Sequence, residues 1–167
     1  MNMIRKMTID DLPWVNAIYN HYVEHSHVTF DTEPWPIEAR MEWFDTRQAD
    51  ERYPLFVAEV GGAVVGGSWA GPYRPKRAYD RSVETTVVLD PAATGAGFGR
   101  LLLAELIVAL EMTQAHRAYA IVALPNPESI TIHHQLGYRT VGVLSDSGHK
   151  FDRYWSTELL ELELGAH

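Results

Sequence analysis

Three glycines at alternate positions, Gly95, Gly97 and Gly99, lie in the stretch "DPAATGAGFGRLLLAELIVALE", directly before a long helical pattern. A glycine-rich turn that opens a helix offers backbone N–H groups and the positive end of the helix dipole to an anion, so this spacing suits the holding of phosphate. Packing alone explains it less well, because glycine in regular structure costs about 0.5–1 kcal/mol relative to alanine. A dinucleotide fingerprint needs G-x-G-x-x-G and an acidic residue about 20 positions on. The spacing here is G-x-G-x-G. A Walker A loop ends in Gly-Lys-Ser/Thr, whereas this turn ends Gly99-Arg100-Leu101. Both loops also belong near the first strand of their folds, and this turn follows at least three strand-like runs. What remains is a pyrophosphate held by consecutive backbone N–H groups.

The other chemistry-bearing residues narrow the field. The chain has no cysteine, which removes a thiol nucleophile, a Cys-ligated zinc and any disulfide framework. Its eight histidines do not form an HExxH pattern, and the adjacent pair His133-His134 would point to different faces of a helix. No metal is expected. Fourteen Lys plus Arg against 22 Asp plus Glu give a net charge of −8, without the basic field that drives binding to a nucleic-acid backbone. The cationic clusters are "RPKR" from Arg74 to Arg77, and Lys150 with Arg153. Such clusters are commonly solvated surface, yet they also suit a small anionic group.

Elements that would position these residues follow from the periodicity. Thr8 and Asp11 form a helix-start pair, and Leu12, Val15, Ile18, Tyr19 and Tyr22 recur at three- and four-residue spacing, which predicts a first amphipathic helix. "EHSHVTFDTEPW" breaks that pattern and places an exposed Phe30 on a loop. Pro36 suits a first-turn position, with Ile37, Met41 and Phe44 as the stripe of a second helix. "YPLFVAEVGGAVVGGSWAG" reads as two strands joined at Gly61-Gly62. "SVETTVVLD" is a third strand-like run that feeds the glycine turn. A helix from about Gly99 to Glu111, the strand "AYAIVAL", a short helix ending near Leu136-Gly137 and strands around "YRTVGVL" and "RYWSTELLELEL" complete the pass. Strand, helix, strand, helix in the second half predicts a mixed α/β sheet with a parallel crossover.

At 167 residues and 46% hydrophobic content the chain has the size of one domain, taken as residues 1–167. No apolar run is long enough to span a bilayer, and the first fifteen residues do not follow a signal-peptide pattern. A cytoplasmic location is expected.

The sequence resembles the GNAT acyltransferase superfamily, whose acetyl-CoA loop has the form Arg/Gln-x-x-Gly-x-Gly/Ala after a central strand. Here that loop falls on Thr94, Gly95, Ala96, Gly97, Phe98 and Gly99. The likeness is strongest to the phosphinothricin and methionine sulfoximine N-acetyltransferases and extends over nearly the whole chain. "IYNHYVEHSHVTFDTEP", "AGPYRPKRAYD", "VETTVVL", "LPNPESITIHHQLGY" and "GHKFDRYW" carry it. Thr94 replaces the usual Arg or Gln, and Ala96 stands where arginine is frequent, so charged contacts to the pyrophosphate are missing while the backbone donors survive. Arg100 or Arg117 would have to compensate.

The resemblance implies a GNAT fold: a central, mostly antiparallel twisted sheet with one splayed parallel pair, flanked by helices. It also implies acetyl-CoA as co-substrate, a small amino-acid-like amine as acceptor, and a homodimer. Glu84 matches the family's general base, and His133 matches the histidine of its "S-x-x-L-H" segment. The backbone of Val87, Val88 and Leu89 would meet the pantetheine arm and the thioester carbonyl. Gly95, Ala96, Gly97, Phe98, Gly99 and Arg100 would hold the pyrophosphate. Asn126 and Ser129 would bind the cofactor arm, with a helix cap as the rival role for both. Tyr138 suits the core better than general-acid work. For the acceptor, Phe30 would wall the pocket, Arg74, Arg77 or Tyr79 would hold a carboxylate, and Thr86 lies on the same strand as the base.

Two other functions stay open from the sequence: acetylation of a peptide or protein N-terminus, and a non-catalytic acyl-CoA sensor, the latter motivated by Thr94 and Ala96.

Overall fold

The computed structural model describes residues 2–165. The chain runs β1 (Asn2–Lys6), α1 (Leu12–His25), α2 (Ile37–Gln48), β2 (Leu55–Val60), β3 (Ala63–Pro72), β4 (Ser82–Leu89), α3 (Phe98–Glu111), β5 (Arg117–Ala123), α4 (Pro127–Gln135), β6 (Arg139–Lys150) and β7 (Arg153–Glu163). The strands form one seven-stranded sheet in the order β1-β2-β3-β4-β5-β7-β6. β4 and β5 are parallel, and the other neighbouring pairs are antiparallel. The β4-α3-β5 crossover is the mixed α/β connection expected from the strand-helix-strand pattern.

Both faces of the sheet are covered because neighbouring strand residues point to opposite sides. On one face Leu102, Leu103, Leu106 and Leu110 of α3 pack with Phe56, Val83 and Ala118, and Ile130 and Ile132 of α4 lie against them. On the other, Leu12 and Val15 of α1 and Phe44 of α2 pack with Val57 and Trp69. The α1 stripe is as expected at Leu12, Val15 and Ile18.

In α2 the expected Phe44 is buried, but the expected Met41 is exposed and Arg40 is buried instead. Its guanidinium lies 4.2–4.9 Å from the ring centroids of Trp35, Tyr19 and Trp43, and its Nε donates to Asn16 Oδ1 at 3.1 Å. Aromatic faces solvate this cation in place of water, and burial pulls its pKa down to about 10.

The β2–β3 hairpin turns at Gly61 and Gly62, with φ of 59° and 88°, as a two-residue turn of that hand requires. The β6–β7 hairpin turns at Phe151 and Asp152, with φ of 54° and 55°. No glycine marks that turn in the sequence, and β6 runs on to Lys150, well beyond the "YRTVGVL" run. β1 is likewise a strand where the sequence shows only a short apolar start.

Candidate active site

Three residue pairs make up the parallel ladder: Ser82 with Arg117, Val83 with Ala118 and Glu84 with Tyr119. Beyond Glu84 the strands part. β4 stays paired to β3 as far as Leu89, and β5 stays paired to β7 as far as Ala123. The fork leaves one edge of the Val87–Leu89 backbone without a strand neighbour, as the resemblance implies. The Leu89 carbonyl is engaged all the same, accepting the Tyr22 hydroxyl at 2.7 Å.

Glu84 is half-buried at the base of this fork, opposite Gly71 of β3. Burial pushes its carboxyl above the usual carboxylate range, and the nearby Arg74 charge offsets only part of that rise. Tyr119 stacks on Tyr73 with centroids 4.2 Å apart. Tyr79 meets Tyr73 edge-on at 5.9 Å, and the Arg74 guanidinium lies 5.0 Å from the Tyr73 ring centroid. Arg74 and Tyr79 thus gather beside the strand pair that carries Glu84, while Arg77 sits exposed on the same short turn. Thr86, two residues on, shares the Glu84 face and stands across from Trp69.

His133 belongs to the other face. It is buried at 3% exposure, its ring meets Tyr138 edge-on at 4.9 Å, and the Tyr138 hydroxyl lies 2.8 Å from Thr85 Oγ1. Thr85 alternates with Glu84 along β4, so the two acid–base candidates flank the strand rather than touch each other. His133 Nδ1 lies 2.7 Å from the Ser129 carbonyl. A carbonyl only accepts, so Nδ1 carries the proton and Nε2 is left as a bare acceptor. That Nε2 is buried without a partner. Burial is also the main reason the His133 pKa is lowered; the Ser129 bond opposes it and His134 adds to it. Tyr138 is core, as expected, and burial raises its hydroxyl pKa to about 12.

Asn126 takes the rival cap role: its Oδ1 accepts from Ser129 N–H at 3.2 Å. Asn126, Ser129 and His133 therefore form one continuous chain through α4.

The three glycines divide their roles. Gly95 and Gly97 have φ of 78° and 85°, and open space lies where a Cβ would stand on either. Gly97 is the N-cap of α3. Gly99 is a packing glycine, since a Cβ there would lie 3.3 Å from both Ile132 and Leu89. Phe98 turns its side chain into the core, leaving its backbone to the turn. Leu89, Gly95, Gly97, Gly99 and Arg100 form one wall of a cleft of about 450 Å³, and Pro127, Glu128, Thr131, Ile132 and Gln135 form the other. First-turn N–H groups have no intrahelical partner, so the open turn fits a pyrophosphate. Thr94 Oγ1 is turned back onto Pro91 O at 2.9 Å. Arg117 pairs with Glu163 at the far end of β5, which leaves Arg100 as the arginine at the turn. A larger hollow of about 1360 Å³ is lined by Lys6, Tyr53, Met112 and their neighbours and includes no residue of β4 or of the glycine turn.

Phe30 lies on the loop between α1 and α2, half-buried against Gly148 of β6 rather than exposed. Sequence reasoning missed Tyr22, Tyr73, Tyr119 and Thr85, which the topology alone brings to the fork. Among the described residues no group of three or more His, Cys, Asp or Glu is placed to hold a metal. No helix there is long and apolar enough to cross a membrane.

A sheet that forks at a parallel pair above a glycine turn defines an acyl-CoA-type transferase fold. Residues 15–138 match the acetyltransferase (GNAT) family, and the chain belongs to that family. It is 42% identical to a phosphinothricin N-acetyltransferase of Streptomyces coelicolor, over 96% of this chain and 95% of that one. It is 31% identical to an L-methionine sulfoximine/L-methionine sulfone acetyltransferase of Salmonella typhimurium, over 94% and 91%. Among solved structures, a ribosomal-protein-alanine N-acetyltransferase from Brucella melitensis superposes with TM-score 0.94 at 35% identity, over 97% and 99%. A phosphinothricin acetyltransferase from Sinorhizobium meliloti, solved with acetyl-CoA, does so with TM-score 0.94 at 29% identity, over 98% and 89%. The protein is an acetyl-transferring enzyme, an N-acetyltransferase.

Proposed function

We propose that this enzyme transfers the acetyl group of acetyl-CoA to the α-amine of a small amino-acid-like compound of the phosphinothricin, methionine sulfoximine or methionine sulfone type, by direct attack in a ternary complex. The observation that carries the reading is the end of the parallel ladder at Glu84, which opens a fork between a carboxylate of raised pKa and the glycine-turn cleft.

An amine of pKa about 9 is only about 1% neutral at pH 7, a deficit of about 2.7 kcal/mol that a positioned base helps recover. Glu84 takes this proton, directly or through one water, and burial makes it a better acceptor than an exposed carboxylate. Bare Nε2 of His133 is a second acceptor, suited to orienting a water from the opposite face. Acetyl-CoA supplies the activated acyl carbon and a thiolate leaving group. The backbone of Val87, Val88 and Leu89 lines the arm's path and polarises the carbonyl. The N–H groups from Gly95 to Arg100 hold the pyrophosphate, with the α4 start at Asn126 and Ser129 beside the arm. Arg74, Arg77, Tyr79 and Thr86 receive the acceptor's carboxylate and body, and Phe30 walls its side chain. The absence of cysteine fits transfer without an acyl-enzyme.

Residues 1–167 work as one domain, and two copies associate. Val141, Val143 and Leu144 on the edge strand β6 are 48%, 53% and 55% exposed, an apolar strip of the kind that supports association.

The likeness to the Brucella ribosomal-protein-alanine N-acetyltransferase supports a second acceptor class, a peptide beginning with alanine. Thiol release measured with phosphinothricin, methionine sulfoximine, methionine sulfone and an alanine-starting peptide separates the two. Turnover on the amino-acid analogues is expected. Turnover on the peptide alone contradicts the proposal.

A further inference from the structure

The segment "GHKFDRYW" has no part in the chemistry above, yet it contains a buried amine that the fold fully engages. Lys150 is 4% exposed and forms no ion pair among the described residues. Its Nζ donates to three carbonyls: Ser26 at 2.7 Å, Thr29 at 2.8 Å and Tyr22 at 3.3 Å. These belong to the last turn of α1 and the loop that follows. A cation there also answers the negative end of the helix dipole. Two further bonds tie the same region to the fork: the Tyr22 hydroxyl donates to Leu89 O of β4, and His27 Nε2 bonds the Pro125 carbonyl at 2.8 Å, one residue before Asn126. The end of α1 is thus tethered to β4, and the loop that carries Phe30 to the β5–α4 connection and to β6.

Gly148 completes this seat. It is not in the left-handed region, so its backbone accepts a side chain, but a Cβ would come within 3 Å of three Phe30 ring carbons. The ring rests directly on the strand.

The structure assigns Gly148 and Lys150 the role of positioning residues that set acceptor selectivity by fixing Phe30 against β6, on the loop that joins α1 to α2. This rests on the reading of Phe30 as a wall of the acceptor pocket. Gly148→Ala displaces the ring without straining the backbone, and Lys150→Met frees the loop from its three carbonyl bonds. Neither residue touches the glycine turn.

The test is steady-state kinetics with methionine sulfone and acetyl-CoA on wild type, Gly148→Ala, Phe30→Ala, the double variant and Lys150→Met. Gly148→Ala is expected to raise the methionine sulfone KM about tenfold, the order that a displaced pocket contact commands, with the acetyl-CoA KM and kcat within about twofold. Phe30→Ala should do the same. The double variant should be no worse than either single, because one residue acts through the other. Lys150→Met should shift the acceptor KM in the same direction if it folds; Gly148→Ala decides the matter if it does not. An unchanged acceptor KM in Gly148→Ala, an equal rise in both KM values, or additive effects in the double variant overturns the assignment. A wild type that acetylates only the alanine-starting peptide overturns the acceptor reading instead, and the same cycle on the peptide KM then decides the role of Gly148.

Discussion

Glu84 and Tyr119 form the last pair of the parallel ladder, and every backbone position beyond them on that side of β4 is without a strand partner. The carboxylate therefore sits where the sheet changes from closed to open. Burial raises its pKa above the ordinary value of 4.5, so kcat/KM should show an acid limb at higher pH than an exposed glutamate would give. Glu84→Gln should abolish that limb and leave the alkaline behaviour of the amine. An acid limb that persists unchanged in the variant assigns the titration to another group.

The same shift fixes the sign of a stability effect. A carboxyl whose folded pKa is raised is penalised when ionised, so the penalty is absent below the unfolded pKa and develops as pH rises through the interval between the two values. Glu84→Gln should raise the melting temperature at pH 7 and give no gain near pH 3. Thermal melts at the two pH values check this. A lower melting temperature at pH 7 would mean that the Arg74 attraction outweighs burial.

His133 has one ring nitrogen bonded to Ser129 O and the other bare. His133→Phe keeps a ring against Tyr138 but removes the acceptor. A fall in kcat of about a hundredfold is expected, the lower end of the range for one positioned acid–base group, with acetyl-CoA affinity within about twofold. An unchanged kcat with a lower melting temperature would make this residue a core histidine only.

Two variants probe the glycine turn from opposite sides. Gly97→Ala places a side chain at φ 85° at the start of α3; it should cost about 1 kcal/mol or more in stability and weaken acetyl-CoA binding. Thr94→Arg gives up a short bond to Pro91 and restores a cation; at roughly 1.5 kcal/mol for a hydrogen bond to a charged group it should tighten acetyl-CoA about tenfold. Isothermal titration measures both. An affinity unchanged or weakened by Thr94→Arg would show that the phosphates lie elsewhere.

Much of this architecture is legible in the sequence because strong local signals specify it. The Gly61-Gly62 hairpin, the helix after the glycine turn and the alternation at Gly95, Gly97 and Gly99 each depend on neighbours in the chain. The fork was legible only through resemblance, since no periodicity reports that a ladder ends at Glu84. The contacts that bring Tyr22, Tyr73, Tyr119 and Thr85 to the fork were not legible. They span about 30 residues or more, as when Tyr138 meets Thr85 or Tyr22 meets Leu89. The burial of Arg40 was missed for a related reason: its counterparts are aromatic rings from α1, a loop and β3, not a carboxylate at helical spacing.

Glu84 is the proposed base that removes the acceptor's proton at the fork. The most direct measurement is the turnover of Glu84→Gln on the best acceptor of the panel, with acetyl-CoA affinity measured in parallel. A fall in kcat of about a hundredfold or more with affinity unchanged is the expected result, given the 10²–10⁴-fold worth of a general base. A variant that keeps wild-type kcat at pH 7 contradicts it.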